Sequence, residues 1–148
     1  MPGPLNYTTK VPASRTMSEV SNLLVANGVN AIATTYEATE VTGLRFQFQG
    51  QTFDLPVNVD AMHRCLLAAD QAGALKGTRP DRARWTRREH AERVAWRVIK
   101  DWLEAQIALV NAEQATLDEV MLPYLITGSG RALREDYRDR LALEARRG

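Results

Sequence analysis

Hydrophobic and polar positions along the chain change period near residue 58, and that change organises everything else. Up to there the pattern is mainly of period two. Leu44, Phe46 and Phe48 alternate with Arg45, Gln47 and Gln49, and after a turn at Gly50, Phe53, Leu55 and Val57 alternate with Thr52, Asp54 and Pro56. Such alternation predicts an antiparallel hairpin with one buried and one wet face. Val29–Tyr36, rich in Ala, Ile and Thr, predicts a strand before it, and Asn6–Val11 predicts a short edge strand. Between those two, Thr16-Met17-Ser18-Glu19 has the form of a capping box. The helix it predicts carries Met17, Val20, Leu23 and Leu24 on one face and stops at Asn27-Gly28.

From Val59 the period becomes helical. Val59, Met62, Leu66 and Ala69 form a stripe over 59–72, and 73–85, with two Gly, one Pro and four basic residues, predicts an exposed loop. Thr86-Arg87-Arg88-Glu89 predicts a second capping box, opening a helix to about Val110 that would be ~37 Å long. Its inner face would include Ala91, Ala95, Trp102 and Leu103, with Arg93, Arg97, Lys100 and Glu104 opposite. Thr116-Leu117-Asp118-Glu119 caps a short helix closed by Pro123, and a tail helix follows Gly128-Ser129-Gly130 with Leu133, Tyr137 and Leu141 at i, i+4 spacing. The fold class expected is α+β: a small antiparallel sheet of three to four strands, one face covered by helices, including one long helix in the C-terminal half. One domain over 1–148 suits the length, with a mainly β part at 1–57 and a helical part at 58–148.

Composition narrows the class without naming a function. With 45% hydrophobic and 25% charged residues the chain can bury a core, which excludes a disordered tail protein. No stretch approaches ~18 apolar residues, and no secretory signal is visible at the N-terminus. Cys65 is the one cysteine. Together these predict a protein without disulfides, in the cytoplasm of its cell and off the membrane. Catalytic chemistry is not legible. His63 and Cys65 lie two apart on a helix and cannot share a metal, no zinc spacing or phosphate loop is present, and His90 reads as a surface residue between Glu89 and Glu92. The expectation is a non-enzymatic protein without metal or cofactor.

The net charge of +1 conceals blocks. Residues 76–100 hold nine basic and three acidic side chains, whereas 101–126 hold five acidic and no basic ones. Within the basic block, Arg79, Arg82, Arg84, Trp85, Arg87 and Arg88 crowd together, with Arg93 and Trp96 one and two turns further on. Arg grips phosphates bidentately and an indole offers a stacking surface, the combination that single-strand binding needs. These eight residues are the candidate site for single-stranded nucleic acid or a small nucleotide. The wide apolar arc of the long helix, Trp102, Leu103, Ile107, Leu109 and Val110, predicts a homo-oligomer.

Tyr7-Thr8-Thr9-Lys10-Val11-Pro12 with Ser14-Arg15-Thr16, the run Trp96–Ala105, and Thr116–Val120 with Leu122-Pro123-Tyr124 resemble small phage and prophage proteins of unassigned function. The helix–three-strand–helix order also resembles the core of single-strand annealing proteins. The first resemblance implies a phage context within a host cell and brings no catalytic residues. Its natural functions are an accessory that binds single-stranded DNA, a counter-defence protein that sequesters a nucleotide signal or masks a host protein, or an assembly protein.

Overall fold

A computed structural model describes residues 2–148. The order is α1 (Ala13–Ala26), β1 (Ala31–Glu37), β2 (Glu40–Phe48), β3 (Gln51–Pro56), α2 (Val59–Gln71), α3 (Arg79–Trp85), α4 (Arg88–Asn111), α5 (Leu117–Val120), a 3-10 turn (Leu122–Tyr124) and α6 (Leu133–Arg147). The class is α+β with one small sheet and one long helix. Two compact units emerge, residues 2–23 with 57–105 and residues 24–56 with 106–148, and the division falls inside α1 and α4.

Unit one is helical. Its first residues make successive turns, with Asn6 at φ 66° and Tyr7 N–H donating to the Pro4 carbonyl. No strand forms at 6–11, because these backbone groups bond locally instead of to a neighbouring strand. α1 begins just after Pro12, whose carbonyl accepts from Arg15 and Thr16, so the helix starts three residues before the expected cap. Thr16 is fully buried inside it and caps nothing. α2 is opened by Asn58, whose Oδ1 accepts from Ala61 N–H at 2.9 Å, and it buries Val59 and Leu66. The stretch expected as a loop contains α3. Thr78 and Asp81 cap each other's backbone at 3.2 Å in both directions, and Pro80 fits the first turn. Thr86 does not cap α4: it ends α3, its Oγ1 donating to the Arg82 carbonyl at 2.9 Å. The core of this unit gathers Val20, Leu66, Val94, Trp96 and Leu103, all completely buried.

Unit two holds the sheet, in the order β1-β2-β3 and antiparallel throughout. The expected hairpin is present with the expected faces. Leu44, Phe46, Phe48, Phe53 and Leu55 are buried, while Arg45 and Gln47 are exposed. Phe46 and Phe53 are direct register partners with rings stacked 5.3 Å apart. Gln49 and Gly50 both take positive φ, 51° and 77°, the geometry of a tight hairpin turn whose twist matches the strands. Beyond β3 a single bridge joins Phe53 to Leu125, and Ile126 N–H donates to the Thr52 carbonyl at 2.9 Å, which covers that sheet edge. Gly28, at φ 98°, closes α1 as its sequence position predicts.

Candidate functional site

The basic block is shaped by acids that lie far from it in sequence. Within unit one, Arg82 pairs with Asp70 at 3.7 Å and Arg88 with Asp60 at 2.5 Å, which ties the α3–α4 segment to α2. Glu19 of α1 receives Arg97 at 2.8 Å and Lys100 at 3.6 Å. Burial acts to raise the Glu19 carboxyl, and Lys100, Arg97 and Arg15 outweigh it, leaving it below the usual carboxylate range. Most of the local excess of positive charge is therefore matched on the surface. Lys10, Arg79 and Arg87 are three of the cations among the described residues that have no carboxylate partner.

Two of those three face one cleft. It encloses about 760 Å³ and is lined by Thr8, Thr9 and Lys10 from the N-terminal turns, by Asp81, Arg84 and Trp85 from α3, and by Arg87, Glu89, His90 and Arg93 at the start of α4. Trp85 is fixed rather than loose. Its ring meets Tyr7 edge-on, centroids 5.2 Å apart at 89°, and its six-membered ring lies over Gly77 so closely that a Cβ there would stand 2.5 Å away. Only a glycine at 77 lets the indole sit in this position. The Tyr7 hydroxyl in turn accepts from Lys76 N–H at 3.2 Å. Arg84 is held by Asp81 at 2.5 Å and Arg93 by Glu89 at 3.0 Å, so both guanidinium groups are oriented before any ligand arrives. Hydrogen bonds from Thr78, through its hydroxyl and its backbone, and from Arg84 hold the Asp81 carboxyl below its ordinary value.

His90 is the main surprise. It is buried, and its Nε2 lies 2.6 Å from the Tyr7 carbonyl oxygen, so that nitrogen carries the proton and donates. Burial lowers its pKa, the Tyr7 hydrogen bond acts in the other direction, and Arg93 and Arg84 add to the lowering. The imidazole is neutral at pH 7. It pins the N-terminal turns against α4 and so positions Lys10.

Of the eight residues expected from sequence, the cleft brings together Arg84, Trp85, Arg87 and Arg93. Arg79, Arg82 and Arg88 lie outside its lining, the last two in ion pairs with α2. Trp96 leaves the site altogether: it is fully buried, so no base can stack on it. Thr8, Thr9, Lys10 and His90 were missed because their positions depend on the fold of the first ten residues. His63 also proves structural, with Nε2 donating to the Thr86 carbonyl at 2.8 Å, and Cys65 is exposed.

No family model, curated protein or solved structure matches the chain. Its chemistry must therefore be argued from the cleft alone. The described residues include no group of three or more His, Cys, Asp or Glu placed to hold a metal ion. No helix among them is long and apolar enough to cross a membrane. What the cleft offers is two unpaired cations, two oriented guanidinium groups, two threonine hydroxyls and one anchored indole. That set suits a phosphate joined to a flat ring.

Proposed function

We propose that the protein is a phage-type accessory that binds single-stranded nucleic acid at this cleft, inside the host cell. The observation that carries the reading is the placing of Lys10 and Arg87, neither with a carboxylate partner, beside the anchored ring of Trp85. A phosphodiester supplies the anion that the two cations lack, and the adjoining base supplies a face for the indole. Arg84 and Arg93 share their charge with Asp81 and Glu89, so they orient a strand more than they attract it. A second reading, capture of a free nucleotide, is favoured by the size of the cleft, which lies within the ~300–1,000 Å³ usual for small-molecule sites.

Titration with oligothymidylates of increasing length and with thymidine mononucleotide, followed by tryptophan fluorescence, separates the two. Strand binding predicts affinity that grows with length and falls steeply with salt. Nucleotide capture predicts saturation by the mononucleotide and no gain from a longer strand. Absence of binding to either would defeat both.

A further inference from the structure

The outer half of α6 is a helix with nothing packed on it. α6 buries no residue, and from Tyr137 onward every position is exposed. Three of its apolar groups are nonetheless aligned: Tyr137, Leu141 and Ala145 repeat at i, i+4, with Tyr137 61% and Leu141 47% exposed, while Leu143 lies on the opposite face. A stretch this short is marginal as an isolated helix in water, and most helices gain their stability by covering an apolar stripe. Basic side chains flank the stripe. Arg138, Arg140, Arg146 and Arg147 face only two acids there, and one of those, Asp139, is taken by Arg131.

The same unit contains a surface of opposite character. A groove of about 590 Å³ has Phe48, Val110 and Leu117 in its lining and Glu113, Asp118 and Glu119 around them, with no basic residue among those that line it. Glu119 is occupied in part, since its Oε1 accepts from the Thr116 backbone and hydroxyl at 3.1 and 2.7 Å. The tail of α6 is fully exposed in its own chain, so that groove is not where it rests.

We infer that this groove receives the outer half of α6 from a second copy of the chain. Tyr137 and Leu141 enter the apolar floor, and Arg138 and Arg140 on either side of the stripe meet the acidic rim. The helix from Tyr137 to Arg147 is ~16 Å long, and each copy both gives a tail and takes one. Two such contacts related by a two-fold axis make a closed dimer. Doubling the contact also brings the buried area toward the ~1,200 Å² that a specific interface needs. The strand-binding cleft lies in the other unit and is not required for this association.

Sedimentation velocity from low to high micromolar concentration tests it. The parent should dimerise, and Arg138→Glu with Arg140→Glu should weaken the dimer at least about tenfold, because like charges then oppose one another. Glu113→Lys with Asp118→Lys should do the same from the groove side. Both variants alter exposed or half-exposed residues, and far-UV circular dichroism checks that each is folded. Mixed together, the two variants carry complementary tails and grooves and should form a heterodimer. A monomeric parent would overturn the inference, as would a dimer that survives both variants or a mixture that stays monomeric.

Discussion

The chain has two arginine-rich stretches, 79–93 and 131–147, and they differ in what the fold does with them. The first is bent. A seven-residue helix, a break at Thr86–Arg87 and the start of α4 curve it around the N-terminal turns, so that Arg84, Arg87 and Arg93 line a concavity with Trp85. The second is straight, and α6 presents its arginines on a convex surface beside exposed Tyr137 and Leu141. Concavity lets several donors converge on one phosphate, whereas a convex helix offers its charges singly beside an apolar stripe. Equal arginine content thus ends in a cleft in one stretch and in an exposed convex face in the other. Composition alone does not separate them. The turn chemistry does.

The largest expected effect is that of Trp96→Ala, in the core just beyond the first stretch. Removing this fully buried ring should destabilise the protein by ~3–5 kcal/mol, read from urea melts, with strand binding lost through unfolding. Trp96→Phe keeps most of the ring and omits the indole N–H, which has no hydrogen-bond partner, so its cost should be distinctly smaller. Next in size is Trp85→Ala. If the ring stacks on a base, strand affinity falls by ~1–3 kcal/mol at every salt concentration, because stacking releases no ions. A thermal melt of the same variant reports how far Trp85 also supports Tyr7.

A smaller effect lies in pH. The folded pKa of His90 is below its unfolded value of 6.5, so the unfolded state binds the proton more readily. Its contribution to stability is complete above about pH 6.5 and declines as pH falls from there toward the lowered value. The melting temperature of the parent should therefore drop more between pH 7.5 and 5.5 than that of His90→Gln. Smallest of all is the effect of Arg138→Glu with Arg140→Glu on strand affinity. These residues lie outside the cleft, and at moderate salt fluorescence titration should find the affinity within about twofold of the parent. A loss as large as that of Trp85→Ala would move the binding surface to α6.

Most of the sheet was legible because its determinants are local. Alternation from Leu44 to Leu55 fixes the faces, and Gly50 marks the turn whatever the rest of the chain does. Helix starts were harder. Thr16 and Thr86 each stand three residues before a Glu, the form of a capping box, yet one is buried inside α1 and the other closes α3. The box that does form there, Thr78 with Asp81 around Pro80, is equally visible in the sequence, and reading it would have turned the expected loop into α3. Part of the site was legible for a similar reason, since Arg84, Trp85, Arg87 and Arg93 are close in the chain. Lys10 and His90 were not, because they meet through a hydrogen bond between residues 7 and 90 that no local pattern announces. Trp96 misled because Arg93 and Lys100 lie near it in sequence while its ring points into the core.

We propose that Lys10 and Arg87 are the cations that hold a strand's phosphates. That role is tested most directly by the salt dependence of oligothymidylate binding, compared between the parent and Lys10→Ala with Arg87→Ala. Each phosphate contact on a single strand contributes about −0.7 to the slope of log affinity against log salt, so the double variant should be flatter by about 1.4. Its melting temperature should stay that of the parent, since both side chains are exposed and neither has an ion-pair partner to lose. A folded double variant whose slope equals the parent's, or a parent that binds no strand at low salt, would contradict that role for Lys10 and Arg87.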